Sequence, residues 1–203
     1  MATLGGRTNT MNEKILSAIQ CMVARSAIGA STVRSQGASG VAAAARTYLG
    51  SINLAHFSSA EPIAFHRVLD QETERLATSL PRAARSWGLA RKCLNIFLRE
   101  AFYNAFLQAR YHLSAAEKLY ELPLDGIVAK ALRSRANGKL PPWPGVRNLK
   151  RNTSIEYQAV AEKLAAKEGV ARIHLDAIYW AMERELPPNS TIERGACKSD
   201  ARP

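Results

Sequence analysis

Lys92 and Asp125 are the two residues of this chain whose types and placement could do covalent chemistry. Lys92 follows Gly88-Leu89-Ala90-Arg91 and opens a long helical pattern, and Asp125 follows Pro123-Leu124 at the start of the next one. In the first turn of a helix, the unpaired N–H groups and the positive dipole end disfavour an ammonium and favour the neutral amine. A neutral amine attacks sp³ and carbonyl carbon, and a carboxylate beside it can take its proton. Each residue also has a plainer role: Lys92 as a solvated first-turn lysine, Asp125 as a helix N-cap.

The elements that would position this pair are helical. Leu94, Phe97, Leu98, Ala101, Phe102, Ala105 and Phe106 recur at three- and four-residue intervals and predict one long helix with a single apolar face. Ile127, Val128, Ala131 and Leu132 predict a helix from Asp125 to about Asn137-Gly138. Upstream, Glu13 to Arg25 and Val41 to Leu54 read as helices around a Ser/Gly-rich connector, Gly29 to Gly40. Glu61-Pro62 opens another, which Pro81 stops. Downstream, Thr153 or Ser154 caps a helix ended by Gly169, and a last helix runs through Trp180 to Arg184. Aromatics and β-branched runs are scarce, so the fold class is all-α: one compact helical domain of two lobes spanning 13–185, with a flexible start at 1–12 and a disordered tail at 186–203.

Charge indicates the partner. Across 203 residues, 28 Lys and Arg face 17 Asp and Glu, a net +11 that suits a polyanion or an anionic surface. No acidic residue occurs from Gly126 to Ile155, where Lys130, Arg133, Arg135, Lys139, Arg147, Lys150 and Arg151 lie. No sustained Trp/Leu amphipathic face accompanies this run, which favours a nucleic-acid track over a membrane helix. Arg82, Arg85 and Arg91, around the turn before Lys92, are placed to anchor a phosphate strand beside it. Cys21, Cys93 and Cys197 are scattered and odd in number, and the four histidines form no ligand grouping, so neither a disulfide framework nor a metal or other cofactor is expected. The expected compartment is a reducing cytoplasm, in association with the nucleoid, and the expected state is a monomer.

Gly88-Leu-Ala-Arg-Lys92 followed by Pro123-Leu-Asp125 resembles the lysine and aspartate of the helix-hairpin-helix DNA glycosylases, most of all the archaeal-type 8-oxoguanine branch. That branch also carries a late His-(Leu/Ile)-Asp-x-x-x-Trp motif, and His174-Leu175-Asp176-Ala177-Ile178-Tyr179-Trp180 is similar to it. The resemblance spans about residues 85 to 184. It implies a DNA N-glycosylase, with lyase activity, acting on duplex DNA that contains a modified base. It further implies that Lys92 is the nucleophile, that Asp125 stabilises charge on the sugar, and that Asp176 and Trp180 read the extruded base. Where the family tends to carry an aromatic stacking residue one turn after the lysine, this chain has Ile96, which leaves room for a base other than 8-oxoguanine, such as a glucosylated cytosine of phage DNA.

Three alternatives stay open at this stage. Pro144-Gly145-Val146 with Lys150 also imitates a hairpin, and Asp176 would then be its aspartate. Trp143, in a proline-stiffened loop, is either a wedge for the gap left by the extruded nucleotide or a core plug. The whole chain could also be a helical DNA-binding protein that performs no catalysis.

Overall fold

The computed structural model describes residues 12–34 and 39–179, and among these it contains helices and no strand. The expected flexible start at 1–12, apart from residue 12, and the expected tail at 186–203 lie outside the described residues. The fold is all-α. Its helices are α1 (Glu13–Ala27), α2 (Val41–Leu49), α3 (Pro62–Ser79), α4 (Trp87–Tyr103), α5 (Ala105–Tyr111), α6 (Gly126–Arg135) and α7 (Arg151–Lys167), joined by short 3-10 turns. No helix among the described residues is long and apolar enough to cross a membrane.

Local chemistry sets most helix starts. Asn12 accepts from the Lys14 N–H at 2.9 Å and begins α1. Glu61 accepts from the N–H groups of Ile63 and Ala64, with Pro62 at the first helical position, and begins α3. Ser86 accepts from the Leu89 N–H at 3.2 Å and begins α4 five residues before Lys92. α7 departs from expectation: it begins at Arg151 after Lys150, with no side-chain cap, and Ser154 is buried inside it.

α4 is the central helix and packs against α1, α2, α3 and α5. Leu94, Phe97 and Leu98 have essentially no exposed surface, and each such burial contributes about 1.5–3 kcal/mol. The continuous helix predicted through Phe106 is interrupted, because Asn104 takes an extended backbone and accepts from the Leu107 N–H to start α5. Phe106 is consequently turned outward and is 55% exposed. An apolar period alone could not reveal this: the capping side chain sits where the period continues undisturbed.

Two hydrophobic clusters result. The larger is built from α1 to α5 and includes Phe57, Phe65 and Tyr120. The smaller gathers Leu124, Val128, Leu132, Tyr157 and Leu175, with Trp143 against it. Trp143 meets Tyr157 edge to face with ring centres 5.4 Å apart, so it plugs this cluster. Phe57 is likewise a core residue.

The clusters are joined by an extended strap, residues 120–124, whose backbone finds its partners in side chains. The Gln158 amide accepts from the Leu122 N–H at 3.0 Å and donates to its carbonyl at 2.7 Å. Arg172 donates to the carbonyls of Tyr120 and Leu119. Buried backbone polar groups outside helices and sheets must be satisfied in this way. The strap ends at Asp125, so these bonds fix where that carboxylate stands.

Gly88 is a close-packing glycine. A Cβ there would overlap the Val146 carbonyl oxygen and come within 2.7 Å of Leu149 Cβ. A helical Gly→Ala change ordinarily stabilises by about 0.5–1 kcal/mol. Here overpacking against backbone outweighs that gain, and Gly88→Ala is expected to cost about 1–3 kcal/mol in chemical denaturation. A stabilised Gly88→Ala variant would contradict the packing described.

Candidate active site

A cavity of about 670 Å³ opens beside the middle of α4, and its walls come from elements of both clusters. Lys92 and Ile96 supply one wall, Pro123, Asp125 and Ile127 a second, and Asp176 a third. Four residues singled out from the sequence, Lys92, Ile96, Asp125 and Asp176, thus share one enclosure. Trp180, the fifth expected pocket residue, lies outside the described residues.

Lys92 lies in the second turn of α4, since the helix starts at Trp87. The dipole of a helix end falls off within one turn, so Lys92 stands beyond its reach. Only 9% of the residue is exposed, and Nζ donates to the Thr32 carbonyl at 3.2 Å while standing 3.7 Å from Asp125 Oδ2.

Asp125 divides its two oxygens between two tasks. Oδ1 accepts from the N–H groups of Ile127 and Val128, both at 3.0 Å, and so caps α6. Oδ2 is the oxygen turned to the Lys92 amine. Capping and proton transfer are therefore compatible in one side chain, because the cap holds the second oxygen in place.

Asp176 is 3% exposed, and its Oδ2 is paired with the Arg99 guanidinium. Arg99 in turn donates from Nε and Nη2 to Glu100 Oε1, at 3.2 and 2.7 Å. The aspartate expected to read a base thus enters the cavity as half of an ion pair. Sequence reasoning missed Arg99, although its signal was available: positions 92, 96 and 99 share one helical face. It also missed Ser26, Ser31, Thr32 and Arg34, which bring part of the N-terminal third into the wall.

Lys150 does not form the competing pair with Asp176. It is an exposed residue at the α7 start, whereas Asp176 shares its cavity with Lys92. Cys93, beside Lys92, is fully buried, and burial pushes its thiol up to about 12 against the pull of the Lys92 charge. The thiol stays protonated at neutral pH and is a packing group.

The basic residues separate into two kinds. Lys130, Arg133, Arg135, Lys139, Arg147 and Lys150 are exposed, as is Arg85. Lys130 lies one turn beyond Ile127 of the cavity wall, on the same side of α6. Arg135 also lays its guanidinium over Tyr179 at 4.8 Å, and Arg147 donates to the Ala83 carbonyl at 2.7 Å. Arg151 is half exposed but already pairs with Asp70 at 2.8 Å.

Arg91 is not a DNA anchor. It is 5% exposed and donates to both oxygens of Glu121, at 2.8 and 3.0 Å, and to Thr73 Oγ1 at 2.9 Å. It also pairs with Asp70 and lies over the Trp87 ring. Three partners and a ring face leave it no route to a phosphate. His174 is a packing residue of the wall's far side, between the Tyr103 hydroxyl at 2.8 Å and Glu117 at 2.9 Å.

Comparison of the chain with protein-family models, with curated protein sequences and with solved structures gives no match.

Proposed function

We propose that this chain is a DNA N-glycosylase with associated lyase activity, which extrudes a modified base from duplex DNA and removes it. The observation that carries the reading is the lysine amine 3.7 Å from a fixed carboxylate oxygen inside a cavity that also holds Asp176. The similarity of the Lys92, Asp125 and 174–180 motifs to the helix-hairpin-helix glycosylases supports it. So do the exposed basic residues Lys130, Arg133, Lys139 and Lys150, which would hold the duplex in the cytoplasm at the nucleoid.

In this mechanism Asp125 takes a proton from the Lys92 ammonium. The freed lone pair forms a bond to C1′ while the C1′–N bond breaks, and its electron pair leaves with the base, which takes up a proton. The sugar C1′–O4′ bond then breaks, the second amine proton passes to O4′, and a Schiff base is left on Lys92. Removal of a C2′ proton then expels the 3′ phosphate in a β-elimination. Water then hydrolyses the Schiff base, which frees the Lys92 amine and the sugar remnant.

For the substrate, Ile96 stands in the cavity where the similar family tends to carry a stacking aromatic. The candidates are 8-oxoguanine, for repair, and a bulkier hypermodified cytosine, for antiviral defence. The test is a panel of duplexes carrying 8-oxoguanine, uracil, alkylated purines, hydroxymethylcytosine or its glucosylated form, assayed for released base. Release from one or more supports the proposal. No release from any, with duplex binding intact, replaces it with the non-catalytic binding protein.

Binding to undamaged duplex is expected to weaken steeply with salt. Lys150→Ala should reduce the salt slope by about 0.9, the share of one phosphate contact. Arg151→Ala should change it less, because Asp70 already holds that guanidinium. Fluorescence anisotropy titrations across salt concentrations measure both, and a salt-independent affinity would remove the phosphate track.

A further inference from the structure

The connector after α1 reaches across the chain to the amine of Lys92. Thr32 closes a tight turn there: its N–H donates to the Gly29 carbonyl at 3.2 Å, and its hydroxyl donates to the carbonyl of Ala27, the last residue of α1, at 3.1 Å. The turn leaves the Thr32 carbonyl facing Lys92, and it accepts from Nζ at 3.2 Å. On the other side of the same nitrogen stands Asp125 Oδ2 at 3.7 Å.

The geometry of a primary amine gives this arrangement a consequence. Neutral Nζ has four tetrahedral directions: the bond to Cε, two N–H bonds and the lone pair. One N–H is held by the Thr32 carbonyl, and Asp125 Oδ2, at an ion-pair distance beyond hydrogen-bond reach, flanks the nitrogen on a second side; Lys92 lines the cavity, which a ligand enters. The Thr32 hydrogen bond therefore restrains where the amine stands, and an attacking group misplaced by about 1 Å can lose on the order of 10²-fold in rate.

We propose that Thr32 is a positioning residue for Lys92, acting through its carbonyl, with its side-chain hydroxyl holding that carbonyl in place against the end of α1. The inference rests on the glycosylase reading above and assigns the N-terminal third a part in the chemistry. Thr32 touches neither base nor sugar. Its role is to restrain where the amine stands.

The test uses the full chain and a duplex with one abasic site, whose C1′ aldehyde reacts with the amine whatever base the protein removes. Rates of borohydride-trapped adduct formation are measured at saturating protein, beside the Kd for the same duplex and a thermal melt. Thr32→Val keeps the shape and loses the hydroxyl, and it is expected to lower the trapping rate about tenfold or more with Kd unchanged. Thr32→Ala should show the same loss, and Thr32→Ser, which restores the hydroxyl, should recover most of the rate. Wild-type rates in both Thr32→Val and Thr32→Ala overturn the inference and leave the glycosylase reading standing. Equal losses in rate, affinity and melting temperature that serine does not recover overturn it too, as a purely structural effect. No adduct with the wild-type chain removes the lyase part of that reading and this inference with it, and base release from the duplex panel then tests the glycosylase part by itself.

Discussion

Lys92→Ala is expected to abolish the borohydride-trapped adduct with an abasic-site duplex, a loss on the order of 10³-fold or more, while the helical circular dichroism is retained. Lys92→Arg should lose as much, because a guanidinium keeps the charge beside Asp125 but offers no nucleophilic lone pair. The fold should tolerate both. Asp125 keeps its two capping bonds through Oδ1, and the lysine lies at a cavity wall, apart from the apolar packing of α4. An adduct that persists in Lys92→Ala would take this residue out of the mechanism.

The largest effect on stability is expected at Arg91, which is buried among Glu121, Thr73 and Asp70 and lies one position from Lys92. Arg91→Ala leaves Glu121 buried without its main counter-charge, and breaking a buried pair in this way costs about 3–5 kcal/mol. Arg85→Ala, six residues earlier on an exposed turn, should cost no more than about 1 kcal/mol. Urea denaturation of the two variants separates a structural arginine from a surface one. Burial alone would raise the Glu121 carboxyl, but Arg91, with Arg172 and Asn95, holds it below the ordinary carboxylate range. Its folded pKa is depressed, so the stability it contributes is fully present above the ordinary range and is lost as the pH falls through the depressed value. Wild type should therefore lose stability on acidification below that range more steeply than Arg91→Ala, which has already lost the pair.

Whether a residue could be read from the sequence followed from how local its determinants are. Asp125 after Pro123 was legible as a cap because capping needs only its own side chain and the next three N–H groups. Lys92, Ile96 and Asp176 were legible as residues of one site only through the similarity of their motifs, since nothing local brings α4 and residue 176 together. Arg85 and Arg91 are indistinguishable in sequence, and the difference between them is made by Glu121 and Thr73, which only the folded chain brings near. In sequence Trp87 and Gly88 look like a turn and put Lys92 in a first helical turn, whereas α4 already starts at Trp87. Gly88 is instead a helical residue that lets the Val146–Asn148 turn lie against α4. Thr32 was not legible at all. Its contribution is a backbone carbonyl, and every residue type has one.

The pairing of Lys92 with a sugar carbon is the centre of the account, and the most direct measurement is the position of the covalent bond. Wild-type protein is trapped on an abasic-site duplex with borohydride, the DNA is digested, and the adduct is cleaved into peptides for mass spectrometry. The account predicts one modified peptide, with the reduced sugar remnant on Lys92. A remnant on Lys130 or Lys150, or on no lysine, would contradict it.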